Sequence, residues 1–120
     1  MKEPKEIRVL IADDEEYICS VLQAYVVSLG GRADIALDGR RAVEFINSKE
    51  YDFVFLDCNM PELTGVEVVK YLKNKNYGPK IIMMTGYGPM DKKFAKALGV
   101  DFYLSKPFLL DDIKKIFKVY

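Results

Sequence analysis

The chain has 120 residues, half of them hydrophobic and 30% charged, and its 18 basic residues balance its 18 acidic ones. That length suits one domain, able to bury roughly two-thirds of its unfolded surface without a disulfide or a metal. High apolar content at zero net charge argues against disorder and disfavours a general nucleic-acid binder.

Histidine is absent, so His-based triads, His-ligated zinc and phosphohistidine on this chain are excluded. Cys19 and Cys58 form no CxxC motif or zinc quartet and read as reduced, partly buried thiols of a cytosolic protein. The charged N-terminus, MKEPKEIRVL, lacks the apolar stretch of a signal peptide, and no apolar run approaches a membrane span. The expected location is the cytoplasm.

Short apolar runs alternate with amphipathic segments. Ile7 to Ala12 reads as a buried strand. From Glu15 to Leu29, apolar residues at Tyr17, Ile18, Val21, Leu22, Tyr25, Val26 and Leu29 have the spacing of a helix with one buried stripe, stopped by Gly30-Gly31. Arg32 to Ala36 is a second strand, and Asp38-Gly39 opens a helix with Ala42, Val43 and Ile46 inward. Phe53 to Leu56 is the most strand-like run, bounded by Asp52 and Asp57. Thr64 to about Asn74 is a third helix with Val66, Val69 and Leu72 inward. Gly78-Pro79 precedes a fourth strand, Lys80 to Met84. After the loop Gly86 to Pro89, a fourth helix ends at Gly99. Phe102 to Leu104 is a fifth strand, and a helix from Asp111 to about Lys118 closes the chain. Five strand-helix units predict a doubly wound α/β fold with a parallel sheet and helices on both faces. Ligands of such sheets bind beyond the carboxyl ends of the strands, at the switch point of strand order.

At those ends stand Asp13-Asp14, Asp57, Thr85 and Ser105-Lys106-Pro107. Alone, each has a bland reading: Asp14 as a cap of the first helix, Thr85 as a loop hydroxyl, Lys106 as a solvated cation. Together they place three carboxylates, a hydroxyl and an ammonium at one edge. Neighbouring carboxylates raise one another's pKa, and a bound cation relieves this. An all-oxygen donor set suits a hard ion such as Mg²⁺, here on Asp13, Asp14 and Asp57, with Lys106 and Thr85 left for phosphoryl oxygens. A carboxylate in such a site can act as nucleophile and form an aspartyl-phosphate. Asp57, at the end of the central buried strand, is the best candidate.

These residues resemble the receiver domain of bacterial two-component response regulators. The resemblance rests on Ile11-Ala12-Asp13-Asp14-Glu15, Phe55 to Pro61 with Gly65, Met84-Thr85-Gly86 and Leu104 to Phe108, in family order and spacing along essentially the whole chain. It implies one domain over residues 1–120, of flavodoxin-like (βα)5 form with strand order 2-1-3-4-5. It also implies Asp57 as phosphoacceptor, Asp13 and Asp14 as the acidic pair positioning Mg²⁺, and the Asn59 backbone carbonyl as a further metal ligand. Lys106 would contact the phosphoryl group, Thr85 and Tyr103 would be the switch pair, and Pro107 would follow a cis peptide bond. The implied function is a phosphorylation-dependent switch rather than an enzyme with an external substrate. The donor would be a histidine kinase or histidine phosphotransfer protein, and the target a protein reached through the fourth helix, fifth strand and fifth helix. That face carries Lys92, Lys93, Lys96, Lys114, Lys115 and Lys118, either a merely solvated surface or a dock for an acidic partner. Gly86 should leave the phosphoryl pocket open, and bulky Tyr87 should shield the acyl phosphate from water and slow its loss. Cys58 reads as core. The output is expected to be that of a stand-alone receiver acting without direct contact to nucleic acid or membrane. The alternative is the N-terminal receiver of a longer DNA-binding regulator.

Two other chemistries fit less well. A Mg²⁺-dependent aspartyl-phosphate phosphatase of the haloacid dehalogenase type would need an acid where Asn59 stands, and a cap domain. A flavin mononucleotide binder would need a hydroxyl-rich phosphate loop where Asp13-Asp14-Glu15-Glu16 stands.

Overall fold

The computed structural model describes residues 6–75, 78–86 and 92–118. Five strands alternate with five helices: β1 (Arg8–Ala12), α1 (Glu16–Ser28), β2 (Arg32–Ala36), α2 (Gly39–Ser48), β3 (Phe53–Asp57), α3 (Gly65–Asn74), β4 (Lys80–Thr85), α4 (Lys92–Leu98), β5 (Phe102–Ser105) and α5 (Leu110–Phe117). The strands form one parallel sheet in the order β2-β1-β3-β4-β5, the predicted flavodoxin-like arrangement. The strand order reverses between β1 and β3, where Ala12 lies beside Leu56 in register. Asp13 and Asp57 therefore leave the sheet side by side.

Period-two alternation along each strand feeds two cores. One face places Leu10, Val54, Leu56, Ile81 and Met83 against Ala42 and Ile46 of α2 and Val68, Val69 and Leu72 of α3. The other places Val9, Ile11, Phe53, Phe55, Ile82 and Met84 against Cys19, Leu22 and Val26 of α1 and Ile113 and Ile116 of α5. Phe117 closes this second core edge-on to Phe53, with ring centroids 4.8 Å apart. At the amino edge, the Asp52 carboxylate accepts from the Arg8 amide at 2.9 Å and the Asp101 carboxylate from the Ile81 amide at 2.8 Å. These acidic side chains satisfy backbone donors where the ladders begin.

Two helical stripes differ from the expected ones. Tyr17 points outward, 77% exposed, and Cys19 takes the buried place in α1. Tyr17 lies roughly 140° around the helix from Leu22, at about 100° per residue, well outside a stripe centred on Leu22. Leu29 is also exposed, because it lies just past the last turn. In α3 the buried residues are Gly65, Val68, Val69 and Leu72, an i, i+3, i+4, i+7 set that leaves Val66 half-buried at its side.

Local chemistry sets the helix starts nearest the carboxyl edge. The Asp38 carboxylate accepts from the Arg41 amide at 2.7 Å at the start of α2. Thr64 and Glu67 form a reciprocal capping box at the start of α3. The first turn of α3 sits so close to the end of β3 that a Cβ on Gly65 would overlap the Asp57 carbonyl oxygen, while the Gly65 amide bonds the Cys58 carbonyl at 3.1 Å. Gly65→Ala is therefore expected to lower stability by about 1–3 kcal/mol, measured as the urea midpoint. Gly78→Ala, with nothing within 4 Å of its Cβ, should leave that midpoint nearly unchanged.

Candidate phosphoacceptor and metal site

The carboxyl ends of β1, β3 and β4 and the β5-α5 turn surround a cleft of about 750 Å³, with Asp14, Asp57, Asn59, Gly86, Lys106 and Pro107 in its wall. Carboxylate oxygens of Asp13, Asp14 and Asp57 lie within 4.8 Å of one another. Asp13 and Asp57 are buried and Asp14 is exposed. Lys106 reaches across from the end of β5, its Nζ 2.7 Å from Asp13 Oδ2, 2.9 Å from Glu15 Oε1 and 3.6 Å from Asp57 Oδ2. The Lys106–Pro107 peptide bond is cis, and the Lys106 amide donates to the Thr85 carbonyl at 2.7 Å.

The helix start beside this cleft is unusual. The Asp14 side chain does not cap α1. The N-cap position is Glu15, whose side chain makes no capping bond. Asp13 Oδ1 instead accepts from the Glu15 amide at 2.9 Å, which fixes the Asp13 carboxylate. Its other oxygen, Oδ2, is buried and accepts no well-directed hydrogen bond, although Lys106 Nζ lies close enough for an ion pair. That contact engages one lone pair of Oδ2 and leaves another over. A buried carboxylate oxygen with spare acceptor capacity, flanked by two more carboxylates, fits a hard divalent cation. Asp13, Asp14 and Asp57 would hold it, with the Asn59 backbone carbonyl as a further donor.

Burial pushes the Asp57 carboxyl up to about 6, and the negative charge of Asp13 adds to this. Lys106 and the Asn59 backbone N–H act in the opposite direction without cancelling it. Partial burial disfavours charge on Lys106, but the Asp13 and Glu15 carboxylates, then Asp57, outweigh it and hold the ammonium above the ordinary lysine range. Lys106 is thus a fixed cation among carboxylates that repel one another.

Thr85 ends β4, buried, with Ser105 of β5 beside it, and Tyr103 lies beside Met83. Strand alternation therefore places Thr85 and half-exposed Tyr103 on the same sheet face of neighbouring strands. Tyr103 does not enter the cleft wall. Cys58 packs in the core beneath α2 and α3, and burial raises its thiol pKa. Burial also pushes the Cys19 thiol up to about 11, so both cysteines have the character of core residues. Gly86 lines the cleft, and a Cβ there would meet Lys106 side-chain carbons at 3.8 Å, ordinary contact. Tyr87, the expected shield of the phosphoryl group, lies outside the described residues. Two cleft residues are not among the site residues expected from the sequence. Ile18 projects into the wall from the first turn of α1. Glu15 holds Lys106, although the two are 91 residues apart in the chain.

The raised Asp57 pKa gives stability a defined pH dependence. The unfolded carboxyl titrates near 3.8 and the folded one near 6, so the folded state binds the extra proton between those values. Folding is then penalised by the buried charge above pH 6, and the penalty fades as pH falls toward 4. Asp57→Asn should raise metal-free stability at pH 7.5 by about 2 kcal/mol. The advantage should vanish by about pH 4, and Mg²⁺ should stabilise the wild type more than the variant. Urea melts at these pH values check all three outcomes.

The family model described as the response regulator receiver domain matches residues 9–118. The transcriptional regulatory protein DltR of Streptococcus agalactiae is 33% identical over 108 residues, covering 89% of this chain and 48% of that protein. The transcriptional regulatory protein TcrA of Mycobacterium tuberculosis is 32% identical over 108 residues, covering 89% of this chain and 43% of that protein. The chain therefore spans about half the length of these curated relatives. Among solved structures, the receiver domain of the Francisella response regulator 1452 superposes with a TM-score of 0.87 at 29% identity, covering 95% of each chain. The response regulator TrrA of Thermotoga maritima, solved with Mg²⁺ and BeF, superposes with a TM-score of 0.83 at 32% identity, over 94% of this chain and 97% of that one. A parallel sheet with this strand order, a carboxylate cluster at its switch point and a family match along nearly its whole length agree: the chain belongs to the response regulator receiver domain family.

Proposed function

We propose that residues 1–120 act as one phosphoacceptor domain, in which Asp57 takes a phosphoryl group from a phosphohistidine on a histidine kinase or phosphotransfer protein. The observation that carries this reading is the placement of the Asp57 carboxylate, in a cleft wall, between two further carboxylates and the Lys106 ammonium. An Asp57 oxygen forms the new bond to phosphorus as the bond from phosphorus to the donor imidazole nitrogen breaks, and the imidazole keeps that electron pair. Lys106 neutralises the negative charge that gathers on the phosphoryl oxygens. Asp13, Asp14, Asp57 and the Asn59 carbonyl would hold Mg²⁺, which would supply further positive charge to the phosphoryl group. Water later attacks phosphorus, the bond to the Asp57 oxygen breaks, and inorganic phosphate leaves with the Asp57 carboxylate restored.

Phosphorylation adds about −1.5 to −2 charges and three acceptor oxygens. Thr85, at the edge of the site, donates to one of these oxygens, and Tyr103 on the same sheet face follows it inward. The equilibrium between two states of α4, β5 and α5 shifts accordingly. Exposed Lys93 and Lys96 on α4, and Lys114, Lys115 and Lys118 at the end of α5, give that face a positive character suited to an acidic protein partner. No described helix is long and apolar enough to cross a membrane. The DltR and TcrA relatives are transcriptional regulators about twice the length of this chain. Their length favours a second reading, in which the receiver governs a DNA-binding segment of the same polypeptide. The size of the native protein on a blot distinguishes this from a stand-alone receiver.

Incubation with Mg²⁺ and acetyl phosphate should add one phosphoryl group to the intact mass, and neither Asp57→Asn nor a chelated sample should gain it. No gain under conditions that phosphorylate a known receiver would sink the proposal. Hydrogen exchange on the phosphorylated protein should change in α4 and β5 as well as around Asp57. A change confined to the cleft would leave phosphorylation without the proposed output.

A further inference from the structure

Glu15 occupies the N-cap of α1 without capping it. Its carboxylate instead turns to the Lys106 ammonium, 2.9 Å away, in the wall of the cleft. Lys106 is thereby shared between Glu15 and Asp13, both nearer to it than Asp57 at 3.6 Å. The two partners differ in kind. Asp13 is fully buried and fixed through its other oxygen by the Glu15 amide, whereas the Glu15 side chain is 60% exposed and free to swing into solvent.

We propose that Glu15 is a positioning residue that holds the Lys106 ammonium back from Asp57 and releases it when a phosphoryl group arrives. This inference rests on the phosphoacceptor reading of Asp57. Ground-state pairing with Glu15 is lost as Lys106 moves to the phosphoryl oxygens, so it opposes the transfer step. An exposed carboxylate is solvated easily once released, which makes the brake weak and readily reversible. Glu15 therefore sets the rate at which the site fills, while Asp13 keeps the lysine within reach.

The test compares wild type, Glu15→Gln and Glu15→Asp at saturating Mg²⁺, using acetyl phosphate and phosphoramidate, which carries less negative charge. Aspartate keeps the charge but is one methylene too short to hold Lys106 from this backbone position. Both variants should be phosphorylated about two- to fivefold faster than wild type, and by the same factor with either donor. In the metal-free protein, the ammonium ¹⁵N signal of Lys106 should shift in both variants. A wild-type rate for Glu15→Asp would overturn the proposal, since charge at the cleft mouth would then be the whole effect. So would a gain confined to acetyl phosphate, slower transfer in both variants, or an unmoved Lys106 signal. If wild type accepts phosphate from neither donor, the phosphoacceptor reading fails, and the metal-free spectra still decide whether Glu15 holds Lys106.

Discussion

Three carboxylates at one edge of a parallel sheet repel one another, and two of them, Asp13 and Asp57, are buried. Among the described residues in contact with them, Lys106 is the cation that offsets this repulsion. It does so incompletely: Asp57 keeps a raised pKa and an oxygen of Asp13 keeps spare acceptor capacity. A site with surplus negative charge and one fixed ammonium is complementary to a divalent cation together with a phosphoryl group. The surrounding architecture maintains that imbalance. β1 and β3 are in register so that their terminal aspartates emerge together, and the β5-α5 turn brings the lysine over them.

The core keeps the site from relaxing. Asp57 ends a strand buried along its whole length, and Gly65 seats α3 directly on its carbonyl. A carboxylate held by such packing cannot swing into water to recover its hydration, so its charge must be met where it stands. The same packing favours transmission. Thr85 belongs to β4, the neighbour of β3, and Tyr103 shares its sheet face on β5. A change of charge at Asp57 is therefore one strand away from Thr85 and two strands away from Tyr103.

Lys106 also shows how weak interactions tune a strong one. Its bond to Asp13 is sheltered and its bond to Glu15 lies at the surface, with side-chain exposures of 0% and 60% for the two acids. Solvent screens the outer pair far more than the inner. The lysine is thus anchored on one side and readily freed on the other, as the proposed exchange of partners on phosphorylation requires.

Much of this was legible in the sequence because it depends on local pattern. Continuous apolar runs gave the strands, glycines and caps gave the helix ends, and acidic residues immediately after two apolar runs placed carboxylates at the sheet's carboxyl edge. Where local pattern was ambiguous, tertiary packing decided. Tyr17 was expected in the buried stripe of α1, and only the position of the sheet turned Cys19 inward in its place. Val66 lost its place to Val68 because α3 docks through Gly65. The pairing of Glu15 with Lys106 left no trace in either neighbourhood, since residues 91 positions apart meet only when β1 and β5 are assembled in one sheet. The sequence by itself determined which chemical groups stand at the strand ends, because that follows from residue type and period. Only the tertiary structure decided how the single ammonium is shared among the carboxylates, because distances between separate strands and burial from water arise only on folding.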